Sequence, residues 1–168
     1  MTNPLYDALF APHEGKTTPL LHLRDGTTVS HGAFLQEVDR TANALVSLGV
    51  APGDRVAVHV IKSRQALALY AACVKSGAVF LALNTAYTPD EVSYFVENSG
   101  ARVLLLSHMR GHLCDMDRLM EICNAAGITV IEDCAHPMGA SWNGVLSGKH
   151  GAVGCYSCQT YKHVNSGE

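Results

Sequence analysis

No stretch of this chain is basic enough to hold a polyanion. Its 12 lysines and arginines are outnumbered by 15 acidic residues, giving a net charge of -3. They form no cluster, so nucleic acid is excluded as the expected partner. No apolar run is long enough to cross a bilayer: the longest, residues 66–74, is stopped by Lys75 and Ser76. A membrane partner is therefore not expected. Met1-Thr2-Asn3-Pro4 has no charged segment leading into an apolar one. No export signal is read, and a cytoplasmic setting with six reduced cysteines is expected. Repeats and low-complexity linkers are also missing. Cys155-Tyr156-Ser157-Cys158 has the spacing of a metal or dithiol pair, but no second pair accompanies it. In a strand, residues three apart face opposite sides, so no metal is expected there.

What remains is an ordinary globular composition. The chain has 168 residues, 48% of them hydrophobic and 16% charged, enough for one domain with a real core. Residues 20–24 and 27–29 flank Asp25-Gly26, a two-residue hairpin signal. Ser30 can cap a helix whose Phe34, Leu35, Val38, Ala42 and Leu45 follow helical spacing. Strand-like 55–61, helix-like 65–75 and strand-like 78–83 come next. Thr88 and Glu91 form a capping box for a helix that Gly100 closes. Asp115 can cap another, with Met116, Leu119, Met120 and Cys123 on one face. Residues 128–132 and 152–157 are further strands, and Asn143-Gly144 is a hairpin turn. This alternation predicts an α/β fold: a mostly parallel sheet with flanking helices and an N-terminal β-hairpin.

The strand at 103–107 organises the rest. Val103-Leu104-Leu105-Leu106 lies between Gly100 and the polar Ser107-His108, the pattern of a strand buried on both faces. It also marks a seam. Upstream stand Gly49-Val50-Ala51-Pro52-Gly53-Asp54-Arg55-Val56-Ala57, Ala66-Leu67-Ala68-Leu69-Tyr70-Ala71-Ala72-Cys73 and Leu83-Asn84-Thr85-Ala86-Tyr87-Thr88. With these motifs, residues 1–105 resemble the N-terminal part of AMP-forming acyl-CoA synthetases, malonyl-CoA synthetases above all. The resemblance implies the opening α/β layer of a carboxylate-activating enzyme. The loop that such enzymes use for ATP is missing. Gly144-Val145-Leu146-Ser147-Gly148-Lys149-His150 has one residue too few between its glycines, and His150 follows the lysine where Ser or Thr belongs. It is read as a hairpin and loop. ATP and CoA are therefore not expected as cofactors of this chain. Asn84, Thr85 and Tyr87 are read as a polar turn before the helix cap.

Downstream stand Leu106-Ser107-His108-Met109-Arg110-Gly111-His112, Val130-Ile131-Glu132-Asp133-Cys134-Ala135-His136, Met138-Gly139-Ala140 and the run from Ser157 through Lys162 to Glu168. With these, residues 106–168 resemble fold-type-I pyridoxal-phosphate enzymes of the DegT-like sugar-aminotransferase group. PLP works as an electron sink when its pyridine nitrogen is protonated, and a carboxylate at the end of a parallel strand can hold that proton. Asp133 follows strand 128–132. A lysine amine, neutral in place, must form the imine. The resemblance implies Lys162 as that catalytic lysine, Asp133 as the pyridinium partner, His136 against the ring oxygen and Ser157 at the phosphate. The family's upstream Gly-Ser/Thr phosphate loop is replaced by the synthetase-like piece, and the chain stops soon after the lysine. The expectation is an incomplete PLP-dependent aminotransferase-like site, with PLP weak or absent and little turnover. The alternatives are a synthetase-like ligase fragment and a non-catalytic scaffold or fusion. The small-molecule substrate is unidentified, and a homodimer is an open expectation.

Overall fold

Local chemistry starts and stops the helices. The computed structural model describes residues 3–108 and 111–158. Asn3 caps α1 (Pro4–Leu9), accepting from the backbone N–H of Leu5, and a short 3-10 turn (Ala11–His13) follows. Strands β1 (Pro19–His22) and β2 (Thr28–Ser30) pair antiparallel. Their connection is longer than Asp25-Gly26 alone. Leu23 O accepts from Gly26 N, Leu23 N donates to Thr27 O, and Gly26 sits at φ 85°. That is a three-residue loop with a glycine bulge, the next commonest hairpin after the two-residue turn. Ser30 then caps α2 (His31–Ser47), and Ser63 caps α3 (Arg64–Ser76).

The chain divides into two compact units, 1–54 with 62–80 and 55–61 with 81–168. The first holds α1, the hairpin, α2 and α3. Within it α2 packs on α3, burying Phe34, Leu35, Val38 and Leu45 on one helix and Ala68, Ala71, Ala72 and Cys73 on the other. Its ion pairs are exposed or half-buried. Lys75 Nζ meets Asp39 and lies 4.8 Å over the Tyr6 ring, and Arg64 pairs with Glu37 at 3.1 Å.

The second unit is built on a five-stranded sheet. Its strands are β3 (Arg55–His59), β4 (Val79–Ala82, which straddles the division), β5 (Ala101–Ser107), β6 (Thr129–Asp133) and β9 (Val153–Cys155), in the order β4-β3-β5-β6-β9. β3, β5, β6 and β9 pair in parallel. β5 is thus an interior strand, as its four apolar residues demand, and Leu104 is wholly buried. The α/β architecture and hairpin follow the expectation. The strand ends differ: β6 includes Asp133, and β9 stops at Cys155 instead of 157.

Side-chain alternation splits β5 and β6 between two faces. Leu104, Leu106 and Val130 join Ala57 on one face. Against them pack Val92 and Val96 from α4 (Pro89–Ser99) and Met116, Leu119 and Cys123 from α5 (Met116–Ala125). The Thr88–Glu91 capping box forms as its spacing requires, and Asp115 caps α5 through the Arg118 N–H at 3.0 Å. Between β6 and β9, β7 (Ser141–Trp142) and β8 (Val145–Leu146) form a small hairpin on Asn143 (φ 47°) and Gly144 (φ 84°). Two positive φ values in succession are the primed turn that Asn-Gly favours. Residues 144–150 thus form part of a hairpin and the loop after it, as expected.

Candidate functional site

The C-terminal ends of β5 and β6 carry polar residues on both faces. Ser107 and Asp133 are register partners, and so are Asp133 and Cys155. On this face Ser107 Oγ donates to Asp133 Oδ2 at 3.1 Å, and the Ala135 N–H donates to Oδ1 at 3.1 Å. The half-buried carboxylate is therefore oriented from two sides. A carboxylate has roughly four lone-pair sites, so two remain after these bonds. Ser157 lies two residues beyond β9, half-buried; His136 is exposed in the loop after β6. Asp133 and Ser157 thus lie at the ends of neighbouring strands. Lys162 falls outside the described residues.

The opposite face holds a group that spacing alone did not single out. Glu132 is fully buried, and so is His108, 2% exposed, whose Nε2 lies 2.9 Å from Glu132 Oε2. Against a carboxylate that nitrogen must carry its proton. Gly148 N–H donates to the same oxygen at 2.9 Å. The N–H groups of His150 (2.9 Å) and Gly151 (2.7 Å) donate to Oε1. Burial alone raises the carboxyl pKa of Glu132. The Gly151 N–H, the His108 ring and the Gly148 and His150 N–H groups outweigh it, and the net shift is downward. One carboxylate thereby ties loop 147–151 to the sheet.

The loop has no room to spare. A Cβ on Gly154 would come within 2.5 Å of Gly148 O, and one on Gly148 would overlap Tyr156 Oη. Tyr156 Oη donates to Ser147 O at 2.6 Å, and Ser147 Oγ donates to Pro137 O at 2.8 Å. The signal for this hub was in the sequence only as a glutamate inside an otherwise apolar strand run, Val130-Ile131-Glu132.

His108, Glu132 and Cys134 also place one donor atom each within 4.8 Å of one another. Four N–H donors already use the Glu132 oxygens, and burial pushes the Cys134 thiol up to about 11. The cluster is built as a hydrogen-bond hub. Cys155 and Cys158 are both exposed, and only Cys155 belongs to β9.

The polar turn expected at Asn84 is present. Asn84 Oδ1 accepts from Ala86 N–H at 3.0 Å, and Tyr87 N–H donates to Asn84 O. Thr85 and Tyr87 also line a cavity with His59, Ser107 and residues of α4 and α5.

Comparison with known proteins finds both resemblances. The AMP-binding enzyme family model matches residues 11–143. Apo MatB from Rhodopseudomonas palustris superposes with a TM-score of 0.70 at 31% identity, over 83% of this chain and 26% of its own. GDP-perosamine synthase of Escherichia coli O157:H7 is 26% identical over 160 residues, 92% of this chain and 42% of that protein. DesV of S. venezuelae, in complex with a ketimine intermediate, superposes with a TM-score of 0.60 at 28% identity, over 77% of this chain and 35% of its own. The chain spans less than half the length of the curated relatives it matches. Each of these matches is long enough to include residues on both sides of position 105. Among the described residues, no helix is long and apolar enough to cross a membrane.

Proposed function

The chain belongs to the AMP-binding enzyme family, and from that premise we propose a composite. Residues 1–105 supply a synthetase-like α/β scaffold, and residues 106–168 carry the cofactor-facing residues of a PLP-dependent sugar aminotransferase. The observation that supports this reading is the Asp133 carboxylate. It ends an interior parallel strand, is held by Ser107 Oγ and the Ala135 N–H, and has lone pairs beyond those two bonds. These features fit a pyridinium partner.

In this reading Asp133 holds the proton on the ring nitrogen, and Ser107 keeps the carboxylate oriented. Ser157 bonds the phosphate, His136 meets the ring oxygen, and the neutral amine of Lys162 makes the covalent attachment. PLP, when bound, supplies an electron sink for amino-group chemistry. Affinity in this chain is weak. Tight retention needs several backbone N–H groups on the phosphate. A single Ser157 hydroxyl contributes only about 1 kcal/mol net. Asp133 adds a stronger, charge-assisted bond only where water is excluded.

The test is titration of the chain with PLP, followed by borohydride reduction and peptide mass mapping. The expected result is substoichiometric labelling concentrated on Lys162, lost in Lys162→Ala and reduced in Asp133→Ala. Tight stoichiometric binding overturns the weak-site reading. Labelling spread equally over surface lysines overturns the site itself.

The family match favours a second reading, a carboxylate-activating ligase. Because the Gly148-Lys149 loop is the tight turn after the β7–β8 hairpin, with the Gly148 N–H donating to Glu132, this chain is expected to form no acyl-adenylate. Pyrophosphate release from ATP with malonate, acetate or a longer acid is the measurement, and any carboxylate-dependent release would falsify that expectation.

A further inference from the structure

The loop that Glu132 holds also ties down two other segments. Ser147 is 1% exposed, and its polar groups are all used. Its N–H donates to Ala140 O at 2.9 Å, its Oγ donates to Pro137 O at 2.8 Å, and its carbonyl oxygen accepts from Tyr156 Oη at 2.6 Å. The next N–H, of Gly148, donates to Glu132 Oε2 at 2.9 Å. Gly148 sits at φ 80°, and a Cβ there would overlap the Tyr156 hydroxyl, so glycine alone lets these partners meet.

Three segments therefore converge on Ser147-Gly148: the end of β6, the loop after it and the first residue beyond β9. Their contact points have telling neighbours in sequence. Glu132 precedes Asp133, Pro137 follows His136, and Tyr156 precedes Ser157. Those neighbours are the described residues that the PLP reading sets against the ring nitrogen, the ring oxygen and the phosphate. The planar peptide leaves each residue only two soft dihedrals, so fixing one residue narrows the reach of the next.

Tyr156 is the most telling of the three. Its ring is 47% exposed, so burial does little to hold it. Its hydroxyl bond to Ser147 O and its place against Gly148 fix it instead. β9 stops at Cys155, so no strand pairing holds Ser157. The anchor nearest to Ser157 along the chain is the Tyr156 hydroxyl.

We propose that Tyr156 and Ser147 are positioning residues for the cofactor phosphate: the hydrogen-bond chain Tyr156–Ser147–Pro137 holds Ser157 in place relative to Asp133 and His136. Both residues act through Ser157, and their role rests on the PLP reading above.

Two probes separate this role from general folding. PLP and 5′-deoxypyridoxal share the ring and the aldehyde, and only PLP carries the phosphate. Each is trapped on the full chain with borohydride, and labelling of Lys162 is measured by peptide mass mapping against the exposed Lys62. In the native chain PLP should label Lys162 about fivefold more readily than 5′-deoxypyridoxal, the value of one hydroxyl hydrogen bond. Ser157→Ala abolishes that preference. Tyr156→Phe and Ser147→Ala cut it to less than about twofold, and in Tyr156→Phe labelling by 5′-deoxypyridoxal stays at the native level. A merely structural loss would weaken both probes together, and that result overturns the proposal. A native chain without the preference, or a preference that survives Ser157→Ala, overturns the phosphate role of Ser157 and the positioning role with it. A preference lost in Ser157→Ala but intact in Tyr156→Phe or Ser147→Ala overturns the positioning role and leaves the PLP reading standing. If a variant does not fold, amide exchange of the native chain decides. Trapping with PLP should slow exchange at Ser147 and Gly148 more than trapping with 5′-deoxypyridoxal, and equal exchange overturns the proposal.

Discussion

The two sides of β5 are stabilised by different physics. Upstream of Ser107, every fully buried side chain among the described residues is apolar, and the ion pairs of Lys75 and Arg64 are exposed or half-buried. Downstream, Ser107, His108, Glu132 and Ser147 are all buried. The upstream part rests mainly on shape and apolar area, which many similar sequences satisfy; the shielded nitrogens of His59 and Arg64 are the exceptions. The downstream part encloses a carboxylate, which is tolerable only if every lone pair finds a donor at the right place. Loop 147–151 supplies three backbone donors, so its conformation is dictated by one side chain. That loop leads into β9 and then to Ser157. Two of the residues proposed to meet a cofactor, Ser157 and Lys162, thus come after a segment held by hydrogen bonds.

The contrast is broken most severely at its polar centre. Glu132→Ala leaves four N–H groups without an acceptor, and the expected loss is about 4 kcal/mol or more in urea denaturation. A loss under 1 kcal/mol would mean the loop finds other acceptors. The same carboxylate sets a pH dependence. Its folded pKa lies below the unfolded value. Its contribution is therefore full above the unfolded carboxylate range and is lost as pH falls through the folded value. The acid limb of the stability profile should be shallower in Glu132→Ala than in the native chain.

The apolar side is next. Leu104→Ala, at a wholly buried position in β5, should cost about 3 kcal/mol through lost burial and a cavity. A much smaller loss would show that the seam strand is loosely packed. Thr88→Ala removes one half of the capping box, for about 1 kcal/mol measured as a shift in thermal midpoint. The smallest effect belongs to Arg118→Ala. The Arg118–Asp90 pair links α5 to α4 at 2.9 Å, but both side chains are more than half exposed. Its loss should change stability by less than about 0.5 kcal/mol and should fade further in high salt. A clear loss at high salt would show that α4–α5 docking depends on this pair.

The same contrast explains what could be read in advance. The caps at Ser30, Thr88 and Asp115, the glycines that close helices, and the Asn143-Gly144 turn rest on contacts within a few residues. The apolar run at 103–106 needed only its own composition to be an interior strand. The hairpin at 23–27 shows the limit of this reading. Asp-Gly announces a turn, but the bulged three-residue form depends on where β1 and β2 settle in register. Asp133 was singled out by resemblance, and its partner Ser107 lies 26 residues away. His108 and Glu132 are 24 residues apart, and His59 meets Leu106 and Leu119 only around a cavity.

By itself, then, the sequence determined the alternation of strands and helices, the helix ends and the apolar stripes, because these follow from short-range sterics and hydrogen bonds. It also carried a likeness to two enzyme families. Only the tertiary structure decided that Glu132 is a buried hub, that Ser107 orients Asp133, and that the ring nitrogens of His59 are shielded without a hydrogen-bond partner among the described residues. Those facts depend on strand order and register. A one-residue slip of β6 against β5 would exchange Glu132 and Asp133 between the two faces of the sheet, and no local pattern encodes that choice.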